Sequence, residues 1–413
     1  MKSISVEPRS CLSAEPWSFR FAAIEFSYWA ANAAANYKTV FLSAFGFSVI
    51  EVGILNAVSS AVSIFVTPIT GFLADKLRSS RRVFLLLLGL MAGISAAILL
   101  IRGTSPASLS WIAVFSVLLL VLLAPSNGLL DVTVINGCDA VDVKYGKARA
   151  IGSCGAITMF ALLALFVTER TIERVFVMLI LFALPCMFFL TRVRQVCDGL
   201  SSNALSVRQS PQVEKLFRNP YFLVFLVFAA LNSFAQTSIF LYQPYLIQAV
   251  GGSMAFLGFV QAYRVVFELP TLFFMERLSR VFSYRNMVLI SSFLWGLMAI
   301  LCSMIRGFGG LLLVSTLAGL GSGLFVAGSG RFNFSMVPSE LQSTAQTLLY
   351  GFQAFGGILG SFIGGYFIEA LGIFSFHFFI GAVNLAVMLL YALSFFVIKQ
   401  IVHRDYDSFY AEP

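Results

Sequence analysis

The sequence predicts an all-α integral membrane protein in which twelve transmembrane helices form two pseudo-symmetric halves of six helices each. Only 11% of the 413 residues are charged and 59% are hydrophobic, whereas soluble domains carry about 25% charged residues. Apolar runs of about 20 residues, the length that a helix needs to cross a bilayer, recur along the whole chain. A polar break near the middle leaves six runs on each side. The lipid bilayer is therefore an expected partner of this chain.

Each of the twelve apolar runs predicts one transmembrane helix. The runs begin near Phe19, Val49, Val83, Trp111, Ala148, Arg174, Tyr221, Ala255, Asn286, Leu311, Ser343 and Phe374. Between the sixth and seventh runs, residues 191–219 are rich in Ser, Arg, Gln and Asn, which is typical of an exposed linker. We therefore predict an N-terminal six-helix half (1–192), a cytoplasmic linker (193–218) and a C-terminal six-helix half (219–413).

Basic residues lie mostly on one side of the predicted bundle. If the N-terminus is inside, the opposite side holds only Arg102, Arg170, Arg174 and Arg306 of the 27 Lys and Arg residues. Because basic residues favour the cytoplasmic side of a membrane, we expect a multi-pass protein of the cytoplasmic membrane with both termini in the cytoplasm. The net charge of +8 then reflects topology, and nucleic acid is not an expected partner.

Cysteine and histidine give no sign of a metal site or of a cofactor. The six cysteines show no paired spacing, and both histidines lie outside the middle of any apolar run. We therefore expect no metal, no disulfide framework and no cofactor. No nucleophile–base pair is evident either, so an enzyme is not expected.

Two similar segments indicate that the halves are repeats. The second run ends in Gly71-Phe-Leu-Ala-Asp75-Lys-Leu, followed by Arg81-Arg82, and the eighth ends in Leu272-Phe-Phe-Met-Glu276-Arg-Leu. Asp75 and Glu276 are 201 positions apart, about half the chain. Repeated halves are typical of secondary transporters, whose solute site lies between them near the middle of the membrane.

The segment from Gly71 to Arg82 resembles a loop motif of the major facilitator superfamily. In that superfamily, an acid and basic residues of this loop latch the cytoplasmic face. The resemblance implies a conformational latch formed by Gly71, Asp75, Arg81, Arg82 and, through the repeat, Glu276. The second glycine of the motif is missing, and Ser79 and Ser80 occupy its neighbourhood.

One acid and one base lie inside neighbouring apolar runs. Asp131 is near the end of the fourth run and Arg149 is at the start of the fifth, joined by a short polar loop. A charge at the centre of a membrane helix costs about 2.5–3.5 kcal/mol on insertion scales, so such residues usually have a partner or face a wet cavity. We expect the two side chains to pair, either to bind solute or as a permanent structural ion pair.

Two further stretches carry a closer resemblance. The sequence Tyr145-Gly-Lys-Ala-Arg149-Ala-Ile-Gly152-Ser-Cys-Gly155 resembles the fifth helix of the lactose permease, nucleoside–proton symporter and phenylpropionate permease group, and Phe267-Glu268-Leu-Pro270 resembles that group's eighth-helix acid. The resemblance implies that Asp131 and Arg149 serve the substrate site. Ala156 stands where lactose permease has the tryptophan that stacks on galactose, which disfavours a galactoside. Ala318, Gly321 and Leu297 replace most of that permease's proton-coupling network, which leaves Asp131 and Glu268 as proton carriers.

Polar residues of three helices complete the candidate site. Arg264 and Glu268 are four residues apart, so they share a helix face and can pair. In that case Arg264 either neutralises Glu268 permanently or regulates its proton. The first and seventh runs offer amides and aromatic rings that suit a polar solute or, alternatively, helix–helix packing. These candidates are Tyr28, Trp29, Asn32, Asn36, Asn232 and Gln236.

These observations predict a secondary active transporter that works by alternating access. The expected mode is symport of a small polar organic solute, sugar- or nucleoside-like, with a proton or possibly sodium, by a monomer. An organic-anion carrier or drug exporter is the alternative if Lys38, Arg149 and Arg264 all face the cavity. A membrane sensor that transports nothing is the alternative of a different class.

Overall fold

A computed structural model describes residues 14–77, 79–101, 105–143, 145–194, 214–253, 256–338 and 341–403, and within these ranges the chain is helical and forms no strand. The helices are α1 (Ala14–Ala35), α2 (Lys38–Ala44), α3 (Val49–Lys76), α4 (Ser80–Leu100), α5 (Pro106–Ala140), α6 (Tyr145–Phe166), α7 (Arg174–Arg192), α8 (Glu214–Phe217), α9 (Pro220–Leu241), α10 (Gln243–Ala249), α11 (Leu257–Phe273), α12 (Met275–Val281), α13 (Tyr284–Met304), α14 (Phe308–Ser335) and α15 (Gln342–Val402). The all-α prediction is confirmed.

The described helices supply twelve membrane crossings. Nine of the described helices are long and apolar enough to cross a membrane: α3, α4, α5, α6, α7, α9, α13, α14 and α15. Helix α15 crosses twice, because Gly372 has a φ of +80° that breaks it into two arms, and only glycine adopts this backbone conformation without strain. The last two crossings are α1 and α11, which carry half of the polar residues that were predicted to bind solute or protons.

Capping residues explain where several helices begin. Ser79 caps α4 by accepting a hydrogen bond from the backbone N–H of Arg82 at 3.2 Å, and Ser283 caps α13 in the same way. These two helices form the third membrane crossing of each half, so the caps are equivalent in the repeat. Ser79 is one of the residues that lie where the superfamily's loop motif has its second glycine, and its role here is to start the next helix.

The two ends of the bundle are packed differently. At the end where α1 finishes, which we call the Lys38 end, a single apolar core contains residues of both halves, among them Tyr37, Leu163, Tyr242 and Val260. At the opposite end, which we call the Arg81 end, each half has its own core. Phe84 lies in one of these cores and Phe225 in the other.

Hydrogen bonds and close backbone contacts join the halves at the Lys38 end. Asn56 Nδ2 of α3 donates to Ser361 Oγ of α15 at 2.6 Å, and Thr39 Oγ1 donates to the Leu241 carbonyl at 3.0 Å. A Cβ atom at Gly258 would lie 2.5 Å from the Phe160 carbonyl oxygen, so α11 and α6 also touch. The bundle is therefore closed at the Lys38 end.

The predicted linker overlaps the described residues only at its two ends. Most of 193–218 lies outside the described residues, and its last part includes the short helix α8. The boundaries of the two halves and of the linker therefore stay predictions.

Candidate functional site

A cavity of about 330 Å³ lies between the two halves, and we call it the central cavity. The first half contributes the turn after α1, together with α2, α3 and α6, to its wall, and the second half contributes α9 and α11. The lining residues are Asn36, Lys38, Thr39, Asn56, Phe160, Gln236, Thr237, Phe240, Leu241, Gln261 and Arg264. Amides, hydroxyls, two aromatic rings and two cations therefore face one shared space.

Arg264 is held in place by four neighbours. Its Nε donates to Gln261 Oε1 at 2.9 Å, and its Nη1 donates to Ser322 Oγ at 3.1 Å. The same Nη1 lies 3.5 Å from Glu268 Oε2, and the guanidinium lies 4.9 Å from the centre of the Phe240 ring. The ion pair that the i, i+4 spacing predicted is therefore present, and Glu268 offsets the charge that Arg264 brings to the cavity.

Lys38 brings the second positive charge. It is the first residue of α2 and forms no hydrogen bond or ion pair with the residues that the structure describes. No carboxylate is found among the described residues that line the cavity. The wall of the central cavity therefore carries a net positive charge.

A second polar group, which we call the acid cluster, consists of Glu25, Trp29, Asp131, Tyr145 and Arg149. Glu25 is 0% exposed, and its Oε2 accepts a hydrogen bond from Trp29 Nε1 at 2.9 Å. The guanidinium of Arg149 stacks on the Trp29 ring, 4.1 Å from its centre. Asp131 Oδ1 accepts a hydrogen bond from Tyr145 Oη at 3.0 Å. The charge of Arg149 acts on both carboxylates.

The acid cluster corrects one prediction. Asp131 and Arg149 do not form a direct ion pair in the described part of the chain. The reason is that each has another neighbour, since Tyr145 occupies the Asp131 carboxylate and the Trp29 ring holds the Arg149 guanidinium. The two charged residues do belong to one cluster, as we predicted from the short loop that joins α5 and α6.

Comparison with known proteins identifies the family. The sequence model of the MFS_1 like family matches residues 19–379, which is most of the chain. The chain belongs to the MFS_1 like family. It is a membrane transporter of the major facilitator type, and not an enzyme.

One relative and two solved structures are similar to this chain. An uncharacterized transporter of Bacillus subtilis, YwbF, is 22% identical over 350 residues, which cover 81% of this chain and 82% of that protein. A mutant of the nucleoside transporter NupG has a TM-score of 0.76 at 14% identity, over 92% of this chain and 100% of that one. A mutant of the peptide transporter POT in complex with alafosfalin has a TM-score of 0.70 at 14% identity, over 92% and 94% of the two chains. These structural likenesses establish the major facilitator fold.

In this MFS_1 like protein, the predicted site residues fall into separate groups. Asn36, Gln236 and Arg264 line the central cavity, and Glu268 is paired with Arg264. Trp29, Asp131 and Arg149 belong to the acid cluster. Asn232 is buried in α9, outside the cavity lining, and neither polar atom of its amide has a partner in the described residues.

Tyr28 and Asn32 lie between the two groups. Tyr28 Oη donates to Asn127 Oδ1 at 2.6 Å, and Asn32 Nδ2 donates to the same oxygen at 3.1 Å. Asn36 Nδ2 donates to Asn32 Oδ1 at 3.2 Å. A chain of amides therefore leads from the central cavity towards the acid cluster. The sequence analysis did not select Asn127, because a single amide in the apolar run of α5 gives no periodic signal.

The predicted latch lies at the Arg81 end. Arg81 is buried, and its Nη1 lies 3.4 Å from the Leu190 carbonyl of α7. Arg81 and Arg82 lie in the first turn of α4, and Gly71 lies in the last part of α3. The side chains of Asp75 and Glu276 are outside the described part of the structure, so the latch stays a prediction.

Proposed function

We propose that this protein moves a small polar organic solute, sugar- or nucleoside-like, across the cytoplasmic membrane by proton-coupled symport. The single observation that carries this proposal is the polar central cavity at the interface of the two halves. Its volume of about 330 Å³ is at the small end of the range of about 300–1,000 Å³ for ligand pockets. A solute with one or two rings suits this size.

The chemistry of the wall supports a solute with several hydrogen-bonding groups. The amides of Asn36, Gln236 and Gln261 each offer both donors and acceptors, which suits hydroxyl groups. Gln236 Nε2 is buried and has no hydrogen-bond partner in the described residues. Phe160 and Phe240 offer apolar faces to a sugar or base ring. A solute that hydrogen-bonds Gln236 would satisfy a donor that is otherwise costly to bury.

The packing of the bundle supports alternating access. With the predicted topology, the Lys38 end faces outwards and the Arg81 end faces the cytoplasm. Contacts such as Asn56–Ser361 close the outer end, whereas the halves keep separate cores at the inner end. In the proposed cycle, these outer contacts break and the latch residues at the Arg81 end close while the halves rock about the cavity.

Proton coupling is proposed to use the carboxylates that the sequence analysis selected. Solute that binds beside Arg264 would compete with Glu268 for the guanidinium, and the released carboxylate would then bind a proton more readily. Asp131 is the other candidate of that analysis. Sodium in place of the proton remains the alternative ion, and the monomer remains the proposed functional unit.

The test is uptake of a mixed panel of radiolabelled sugars, nucleosides and organic acids into vesicles that contain only the purified protein. We expect accumulation of a sugar or nucleoside that requires an inward proton gradient. Accumulation that follows a sodium gradient instead would identify sodium as the coupled ion. The absence of uptake for the whole panel would favour a membrane sensor that transports nothing. Vesicles without protein, and vesicles in which an ionophore collapses the gradient, are the controls.

A second candidate, a carrier of hydroxylated organic anions, is favoured by the charge of the cavity. Lys38 and Arg264 both line the wall, although Arg149 does not. A carboxylate on the solute would pair with Lys38 while its hydroxyls use the amides. In the same panel, sugar acids taken up in preference to the corresponding neutral sugars would establish this candidate, and the reverse preference would exclude it.

A further inference from the structure

Glu25 is a buried carboxylate that the proposed coupling scheme leaves without a role. Its side chain is inaccessible to solvent, and one oxygen, Oε1, has no hydrogen-bond partner in the described residues. The other oxygen has a single neutral donor, the indole N–H of Trp29. A buried ionised carboxylate is costly unless it is both hydrogen-bonded and paired with a cation. Glu25 meets these requirements only in part.

The charges around Glu25 are unbalanced. Arg149 stacks on the ring of Trp29, the residue that donates to Glu25, and the charge of this one guanidinium acts on two carboxylates, Glu25 and Asp131. Asp131 has in addition the hydroxyl of Tyr145 as a hydrogen-bond donor. The other titratable side chains that interact with Glu25 are the thiols of Cys138 in α5 and Cys186 in α7 and the phenols of Tyr28 and Tyr145, which are neutral in their protonated forms. One cation beside two carboxylates favours the binding of one proton by the acid cluster. The carboxylate with fewer hydrogen-bond donors is the one that binds it.

The Arg264–Glu268 pair has the opposite arrangement. There one guanidinium lies 3.5 Å from one carboxylate, and both side chains are partly exposed. Glu268 therefore has a cation of its own as an ion-pair partner. The difference between the two sites is the number of carboxylates that each arginine must neutralise.

We propose that Glu25 binds the coupled proton, and that Arg149 releases it by moving from the Trp29 ring towards the Glu25 carboxylate. This inference rests on the proposed proton symport and replaces Glu268 as the carrier. Trp29 and Arg149 are half-buried and cover Glu25, so a movement of either side chain opens a path for the proton. In the neutral state, the Glu25 carboxyl no longer needs the charge of Arg149. After the proton leaves, the carboxylate and the guanidinium attract each other again.

The amide chain connects this proton site to the solute site. Asn36 lines the central cavity, and its hydrogen bonds lead through Asn32 and Asn127 to Tyr28. The Tyr28 ring packs edge-on against Trp29, the donor to Glu25. Glu25 and Asn36 are separated by eleven residues along the first crossing, which is about 16 Å at the helical rise of 1.5 Å per residue. Solute that binds Asn36 can therefore influence Glu25 without contact.

Close packing holds the cluster together. A Cβ atom at Gly152 of α6 would lie 2.6 Å from Trp29 Cδ1 and 3.0 Å from Glu25 Oε2. The missing side chain lets α6 bring Arg149, one turn earlier, onto the Trp29 ring. A movement of α6 relative to α1 during transport would therefore change the distance between Arg149 and Glu25.

The experiment compares Glu25→Gln with Glu268→Gln in two assays. In vesicles with an inward proton gradient, we expect Glu25→Gln to reduce the inside-to-outside ratio of the accumulated panel solute to unity, while exchange of labelled for unlabelled solute without a gradient persists. Glu268→Gln should still accumulate solute. Glu173→Gln removes an exposed carboxylate at the start of α7 and serves as the matched control. Gradient-driven accumulation that survives in Glu25→Gln, or that is lost only in Glu268→Gln, would overturn the proposal.

A second measurement does not depend on transport. Infrared difference spectra of the purified protein, recorded between mildly alkaline and mildly acidic solution, should contain the band of a newly protonated carboxyl group. We expect this band to be absent in Glu25→Gln, to be present in Glu173→Gln, and to shift in Glu25→Asp, which keeps a carboxyl group. An unchanged band in a folded Glu25→Gln protein would refute Glu25 as the proton site. If the wild-type protein transports no panel solute, the proposed function fails, whereas the infrared result still decides whether Glu25 titrates.

Discussion

At the scale of single residues, the two cations of the central cavity differ in how they are neutralised. Arg264 has Gln261, Ser322 and Glu268 as polar partners, so its charge is largely satisfied before solute binds. Lys38 has no such partner among the described residues. A positive charge in a cavity attracts an anionic group, and a hydrogen bond between charged groups contributes about 1.5–3 kcal/mol. We therefore predict that Lys38 determines whether the cavity prefers an anionic or a neutral solute.

Lys38→Gln tests that role. If the solute is a hydroxylated anion, we expect its affinity to fall about tenfold or more, because each 1.4 kcal/mol corresponds to a factor of ten. Affinity for neutral members of the panel should not change. The measurement is concentration-dependent uptake into vesicles, with Lys147→Gln, an exposed lysine of α6, as the control. Equal loss for neutral and anionic solutes would contradict an electrostatic role for Lys38.

Residue-level prediction succeeded where spacing along one helix decides the contact. The i, i+4 spacing of Arg264 and Glu268 was enough to predict their ion pair. The direct pair of Asp131 and Arg149 was wrong, because it depends on which side chains of other helices come closer, here Trp29 and Tyr145. For the same reason, the sequence analysis did not select Glu25. Its importance depends on burial by α5, α6 and α7, and the sequence of α1 alone does not contain that information.

At the scale of elements, small residues determine how closely helices approach. Gly356, Gly360 and Gly364 form a stripe on the first arm of α15, at the spacing that is typical of close helix packing. A Cβ atom at Gly356 would overlap the Ala230 carbonyl oxygen of α9, and one at Gly360 would overlap that of Phe234. In the first half, Gly155 of α6 packs in the same way against the Phe26 carbonyl of α1. The two halves therefore use equivalent close contacts.

A pair of substitutions on this arm separates packing from helix propensity. Gly356→Ala should destabilise the folded protein by about 1–3 kcal/mol, the usual cost of overpacking, since the backbone of α9 cannot move aside like a side chain. Gly351→Ala meets no atom within 4 Å, so it should stabilise the helix by roughly 0.5–1 kcal/mol. Thermal denaturation in detergent measures both. Equal shifts of the two variants in the same direction would contradict the close contact.

Helix positions were predictable because each apolar run is long. Helices α3 and α7 begin at the predicted residues, Val49 and Arg174. Elsewhere polar residues extend the helix beyond the apolar run, as in α4, which begins at Ser80 instead of Val83 because Ser79 caps it. The break between α11 and α12 at Phe274 was not predicted. Its sequence, which contains neither glycine nor a capping residue, gives no local signal for a break.

At the scale of the whole molecule, the shared core at the Lys38 end and the separate cores at the Arg81 end describe one closed and one divided end. A transporter that works by alternating access must be able to exchange these two arrangements. The contacts between α3 and α15 must then break, among them the hydrogen bond between Asn56 and Ser361. Contacts within one half, such as the hydrogen bond from Asn384 Nδ2 to Ser292 Oγ at 3.3 Å, stay formed if each half moves as a unit.

These two Asn–Ser pairs allow a matched cross-linking test. In a background whose six native cysteines are replaced by alanine, cysteines at positions 56 and 361 should react with a short bifunctional maleimide and block uptake, because the link holds the Lys38 end closed. Cysteines at positions 292 and 384 should cross-link without loss of uptake, because both belong to the second half. Mass spectrometry confirms each link, and the single-cysteine variants control for modification alone. Full uptake by the linked 56–361 protein would mean that the Lys38 end does not open during transport, and a block by the linked 292–384 protein would mean that the half itself must deform.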